Sequence, residues 1–272
     1  MDIIANPSSS GLILAGGYGI RLKLAQVQAT GTRTLIPWER MPPARATQDL
    51  DFFLALDLFA QPAKGSAVRK LLDSLGYTAV EPRHLQFCKP LHTGSDLVVK
   101  VDLLARTGPN SLRVDRRRVG AKPGTGLHGR HTPEAFAVEE SPVALPLQGY
   151  LTNGDPVSAE VLVPHAYAWV NMKLKAAHDW LSERQGRLDP KPNRAKHLAD
   201  LYRLIGALTE QELTEAQSLA ATYRLHEEAA KLRACAEELF ADESGIATRE
   251  IRQLSVNLDH RQFWEALRLV LG

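Results

Sequence analysis

The sequence predicts an α+β protein, with a mixed β-sheet and flanking helices over residues 1–163, then a helical domain over 164–272. Three observations carry that expectation. Up to about residue 150 the chain alternates short apolar runs with Gly and Pro punctuation, the pattern of strands and tight turns. From Pro164 onward apolar residues recur every three or four positions, the period of amphipathic helices. At 272 residues the chain is long for one core and comfortable for two domains.

The elements follow in chain order. Apolar runs predict strands at 11–15, 47–55, 84–88, 97–104 and 160–163. Helices are predicted over 17–28 and 65–76, the second stopped at Gly76. Segment 107–132, TGPNSLRVDRRRVGAKPGTGLHGRHT, is rich in Gly, Arg and Lys and reads as a surface loop or hairpin excursion. Helix 165–184 starts behind Pro164, where a first-turn proline is tolerated. Helix 193–208 carries a core stripe of Leu198, Leu201, Ile205 and Leu208. Thr209 with Glu212 has capping-box spacing and starts a third helix. Residues 224–241 make a fourth. Asp259 with Gln262 has the same spacing and opens a terminal helix bearing Phe263, Trp264, Leu267 and Val270.

Composition narrows the class. Hydrophobic residues at 44% and charged residues at 24% are the proportions of a globular chain, which excludes a disordered or fibrous one. A net charge of +2 does not demand a nucleic-acid partner, which would need a local basic patch. Cys88 and Cys235 lie far apart in apolar contexts and read as buried thiols in a reducing compartment, not as a disulfide framework. No apolar run approaches the ~18 residues of a membrane span. The opening MDIIANPSSS has no basic n-region of a secretory signal, so the expected location is the cytoplasm.

Two stretches raise the functional question. In LILAGGYGIRLKL, residues 12–24, an apolar strand stops at Gly16–Gly17 and restarts as a basic helix. Glycines at such a turn let backbone approach a phosphate, and the helix N-terminus supplies free N–H groups and a positive dipole. In RATQDLDFFL, residues 45–54, alternation puts Arg45, Thr47, Asp49, Asp51 and Phe53 on one face of a strand. Asp49 and Asp51 then stand ~6.5–7 Å apart at their Cα atoms and repel unless a cation sits between them. That suits a hard ion such as Mg²⁺, which takes one or two protein carboxylates and completes its shell with water and phosphate. A third acid, Asp102, lies inside the apolar run DLVVKVDLLA and is costly there without a partner. If its strand pairs with 47–55, three carboxylates converge. Such a cluster can hold two ions about 3.5–4 Å apart, the geometry of in-line phosphoryl or nucleotidyl displacement.

This ordered set resembles the minimal nucleotidyltransferase fold of the DNA-polymerase-β-like superfamily, and within it the AbiEii/AbiGii-type toxins of type IV toxin–antitoxin and phage-abortive systems. Their pattern is a Gly-Gly turn, an Arg-x-Thr/Ser-x-Asp-x-Asp strand, a helix with a lysine, and a helix reading Asp-Leu. The lysine helix here is PHAYAWVNMKLKAAHDW, placing Lys173, and the second is RAKHLADLYRL, placing Asp200, with His197 where the family usually has Asp. The resemblance covers roughly residues 11–205. It implies that Gly16 and Gly17 cradle nucleotide phosphates, with Arg45 and Thr47 beside them. It further implies that Asp49, Asp51 and Asp102 bind Mg²⁺ or Mn²⁺, that Lys173 contacts phosphate, and that Asp200 supports Lys173 or the nucleotide. The implied reaction moves a nucleoside monophosphate from an NTP to an RNA, such as tRNA, or to a protein, and an antitoxin protein is an implied partner.

Other readings stay beside it. A non-catalytic relative would keep the fold to bind nucleotide or nucleic acid. The basic cluster VDRRRVGAKPG, with Arg116, Arg117 and Arg118, would grip RNA phosphates or form a solvated hairpin tip. Lys173 sits on a stripe with Ala166, Trp169, Val170 and Ala177 and would snorkel at its edge or face a cleft, and Asp200 has Lys196 one turn away as a bland partner. His84, His92, His128 and His131 lack the spacing and cysteine company of a zinc site. No lysine and Ser/Thr follow the glycines as a phosphate-binding loop requires, and neither a dinucleotide fingerprint nor a nucleophile elbow is present.

Overall fold

The structure, a computed structural model, describes residues 1–43, 47, 49–80, 85–91, 97–108, 113–115, 118–120, 127–182, 191–240, 245–253 and 259–272. It is α+β, as the sequence predicts. The chain divides into two compact units, Met1–Leu22 with Arg45–Pro164, and Lys23–Ala44 with His165–Gly272.

The first unit is built on one mixed sheet. Its strands are β1 (Leu12–Leu14), β2 (Asp49–Leu54), β3 (Thr78–Ala79), β4 (Gln86–Pro90), β5 (Val98–Ala105), β6 (Arg113–Asp115), β7 (Arg118–Gly120), β8 (Gly129–His131), β9 (Val143–Tyr150) and β10 (Pro156–Val163). The order is β6-β7-β8-β5-β2-β1-β10-β9, with β4 also on β5 and β3 on β4. β2 with β5, β5 with β8 and β1 with β10 are parallel pairs. Central strands of that kind are covered on both faces and read as continuous apolar runs. Hence Leu12, Ile13 and Leu14 are all buried, and so are the consecutive Phe52, Phe53 and Leu54. β6 and β7 form an antiparallel hairpin inside the Gly- and Arg-rich excursion. Edge strand β9 carries Pro146, opposite Glu160 of β10. The flanking helices are α1 (Gly16–Thr30), α2 (Leu56–Ala60) and α3 (Pro62–Ser74), and α1 continues past Leu22 into the second unit. α3 lies on the sheet where the Arg69 guanidinium stands 5.1 Å over the Phe87 ring.

The second unit holds α4 (Ala166–Ser182), α5 (Lys191–Gly206), α6 (Glu210–Thr222), α7 (Glu227–Leu239), α8 (Ile246–Arg252) and α9 (His260–Leu271). Leu198, Leu201, Ile205 and Leu208 are all fully buried, as their spacing requires. The Thr209 capping box forms, with Glu212 N donating to Thr209 Oγ1 at 3.1 Å and Thr209 N to Glu212 Oε2 at 2.9 Å. At α9, Gln262 N donates to Asp259 Oδ1 at 3.0 Å. Tyr202 stacks on Phe263 at 5.1 Å and accepts from Asp259 N at 2.9 Å, which ties α5 to the start of α9. Arg194 forks onto the Glu250 carboxylate, Nε to Oε1 at 3.1 Å and to Oε2 at 3.0 Å, linking α5 to α8 in a buried pair.

Candidate active site

β1 ends where Ala15 N donates to Asp51 O at 2.8 Å, and the chain turns directly into α1. Gly16 makes the turn at φ +64°, a left-handed conformation that favours glycine. A Cβ at that position would overlap the Asp51 carboxylate, with its Cγ only 2.7 Å away. The glycine bend and the acid strand are therefore in direct contact. Gly17 follows in the first turn of α1, whose backbone N–H groups have no partner within the helix and which carries no acid of its own. The Asp51 carboxylate is thus the negative group beside the positive end of α1, a favourable placement in itself.

The neighbouring strand brings in the third acid. In the parallel β2–β5 ladder Asp51 is the register partner of Asp102, and Asp49 of Lys100. Register partners on adjacent strands share a face at about 4.8 Å between strands, so Asp49, Asp51, Lys100 and Asp102 lie on one side of the sheet. The outer edge of β5 is shared, since β4 pairs with residues 98–102 and β8 with 104–105. Asp102 sits at that handover. Gln86 Nε2 of β4 donates to its Oδ1 at 2.7 Å, and Arg130 Nη2 of β8 stands 3.9 Å away. Asp102 is mostly buried, and these two groups offset its desolvation. Asp49 is exposed and Asp51 half-buried.

Among the described residues, no three His, Cys, Asp or Glu side chains are placed to hold a metal ion. Asp102 is engaged by Gln86. Asp49 and Asp51 fit a hard divalent cation of the kind that takes one or two protein carboxylates, since they share a face of the sheet and Asp51 lies against the glycine turn that opens α1. Thr47 does not belong to the strand that was expected to include it. β2 begins at Asp49, whose N–H donates to Thr47 Oγ1 at 3.3 Å, so the hydroxyl fixes the approach to β2 rather than joining the ladder. Arg45 lies outside the described residues, as do Arg116, Arg117, His84 and His92.

In the helical unit Lys173 and Asp200 meet, as the resemblance implies. Lys173 Nζ donates to Asp200 Oδ2 at 2.9 Å, and Arg203 Nη1 to Asp200 Oδ1 at 2.9 Å, all three residues buried. Lys173 does not snorkel. Arg203 also donates through Nε to Pro42 O at 3.3 Å and through Nη2 to Pro43 O, so the group anchors the Pro42–Pro43 segment. In the same unit, buried Lys23 pairs with Glu212. Burial pushes Glu212 up, but Lys23 and the Thr209 hydrogen bonds more than offset it and leave the carboxyl below its ordinary value. His165 Nδ1 accepts from Tyr167 N at 3.3 Å, and its Nε2 lies 3.5 Å from Glu215 Oε2. Burial holds the His165 imidazole below its ordinary pKa despite Glu215 and Glu212.

Sequence reasoning missed Gln86, Arg130 and Arg203. A polar Gln86 between buried Leu85 and Phe87 was a usable signal for the first; the other two depend on pairings that the pattern does not reveal.

No curated protein matches the chain. A family model does, over residues 12–268, which reaches well past the roughly 11–205 that carry the resemblance in the sequence. With a glycine bend seated on an acid strand and a third acid in register beside it, the chain belongs to the family of nucleotidyl transferase AbiEii toxins of type IV toxin–antitoxin systems.

Proposed function

We propose that the protein is a Mg²⁺- or Mn²⁺-dependent nucleotidyltransferase that moves an NMP from an NTP to an RNA, such as a tRNA, or to a protein acceptor. The observation that carries this is the contact between Gly16 and the Asp51 carboxylate, with Asp102 in register beside it. Asp49 and Asp51 are the residues that would hold the divalent ion, which when bound supplies charge neutralisation at the phosphates. Gly16 and Gly17 let the triphosphate approach the backbone, and the N–H groups of α1 bind its oxygens. Asp102, oriented by Gln86, is the group assigned to take the proton of the attacking hydroxyl as it adds to the α-phosphorus and pyrophosphate leaves. Lys173 is assigned a phosphate contact, and Asp200 holds it in place. Catalysis of this kind is positioning plus electrostatic stabilisation. In its type IV setting the enzyme works in the cytoplasm, opposed by an antitoxin protein; no described helix is long and apolar enough to cross a membrane.

The test is incubation of the full chain with each α-labelled NTP, Mg²⁺ and cellular RNA or protein fractions. Label is expected to pass to a macromolecule, to stop when the ion is chelated, and to fall at least ~10³-fold in Asp51→Asn. Equal labelling by that variant would overturn the catalytic reading. NTP binding without transfer by the unaltered chain would favour a binding protein on the same fold.

A further inference from the structure

The segment between α1 and Pro42 has a feature that the transferase reading does not use. A cleft of about 570 Å³ opens between this segment and Gln262 of α9, lined by Thr32, Arg33, Pro37, Trp38 and Arg40 among others. That volume lies within the ~300–1,000 Å³ typical of ligand clefts. Its floor is firmly held. Leu35 N donates to Leu208 O at 2.8 Å, Ile36 N to Gly206 O at 3.1 Å, and Gln262 Nε2 to Leu35 O, while Ile36 is fully buried. Trp38 is therefore displayed from an anchored loop, 36% exposed. Two guanidinium groups stand beside it. Arg33 is exposed and makes no hydrogen bond or ion pair among the described residues. Arg40 is aimed by Asp259, with Nη1 3.2 Å from Oδ2, yet stays half exposed. Among the described residues that line the cleft none is acidic, and the one carboxylate paired with them is Asp259 on Arg40.

We infer that this cleft docks single-stranded RNA, a base stacking on Trp38 and the flanking phosphates meeting Arg33 and Arg40. An indole face accepts any base, and guanidinium groups both stack and pair with phosphate. A lining whose charged side chains, Arg33 and Arg40, are both cationic matches a polyanion, and the exposed Thr32 hydroxyl, which shares a hydrogen bond with Thr30, has capacity left for a ribose 2′-OH. The choice of RNA over DNA rests on the transferase reading, in which an RNA end is an acceptor. The binding itself does not require turnover.

The test is fluorescence anisotropy of labelled single-stranded RNA with the full chain, without NTP, over a series of salt concentrations. Trp38→Ala should weaken binding roughly ten-fold and Trp38→Phe much less. Arg33→Gln and Arg40→Gln should each lower the slope of log K against log salt by about 0.7. Thermal melts equal to that of the unaltered chain establish that the variants fold. Undiminished binding by Trp38→Ala, tighter binding of an acidic peptide than of RNA, or equal binding of DNA of the same sequence overturns the proposal. The two readings fail separately. Trp38-dependent RNA binding without nucleotide transfer upholds the cleft and removes the enzyme, whereas transfer to RNA unaffected by Trp38→Ala does the reverse.

Discussion

At the scale of single residues, the site turns on the absence of one carbon atom. Gly16 combines a left-handed φ with an Asp51 carboxylate lodged where a side chain would begin. Alanine there meets both costs at once. Gly16→Ala is expected to destabilise the chain by about 1–3 kcal/mol from backbone strain alone and to displace Asp51 as well. Denaturant titration reads the first, and the labelling assay should show a loss approaching that of Asp51→Asn. An alanine variant with full activity would dissociate the bend from the acid strand. Asp102 illustrates a different residue-level point. A carboxylate inside an apolar strand signals a partner from sequence alone, but not which one; here a glutamine from one flanking strand and an arginine from another divide the task.

Among elements, the buried Lys173, Asp200 and Arg203 join α4, α5 and the Pro42–Pro43 backbone through hydrogen bonds held largely out of water. Removing one charge leaves the others buried and under-compensated. Lys173→Met should cost about 3–5 kcal/mol in chemical denaturation, while a surface pair such as Arg261 and Glu265 should cost under about 1 kcal/mol when broken. A near-neutral Lys173→Met would mean that the partners remaining to Asp200, Arg203 among them, satisfy it. How far these elements were legible depended on their length and burial. β1 and the end of β2 showed as apolar runs because consecutive residues there are buried, β5 showed through its buried Val101, Leu103 and Ala105, and α4 to α7 and α9 showed through their stripes and caps. β9 did not, because it is an edge strand with alternate residues in solvent and a proline within it. β8, α2 and α8 are too short for a period to emerge. In the site, the acids were legible from their cost in a strand. The handover of the β5 edge from β4 to β8 depends on long-range pairing, and so Gln86 and Arg130 stayed hidden.

For the whole molecule, the shifted groups set a stability profile with two limbs. His165 is held below its ordinary pKa of 6.5, so the unfolded chain takes up a proton first as pH falls. Its contribution is complete above pH 6.5 and is lost progressively below. Glu212, held below 4.5, adds a second loss further into acid. On the alkaline side burial raises Tyr167 and Tyr202 above 10.0, so their neutral forms stabilise the fold below that pH and the benefit fades above it. Burial likewise raises the Cys235 thiol above 9.0, so melting temperatures measured from pH 4 to 11 should be level between about 7 and 9 and decline at both ends. His165→Asn should move the acid onset down into the carboxylate range; an onset that stays near 6.5 would assign it to another group.

Pro146 gives the outermost strand of the sheet a further property. Without an amide hydrogen, β9 cannot offer a complete row of donors to an arriving chain. A rim that refuses to template its own copies lets copies crowd together without seeding fibrils.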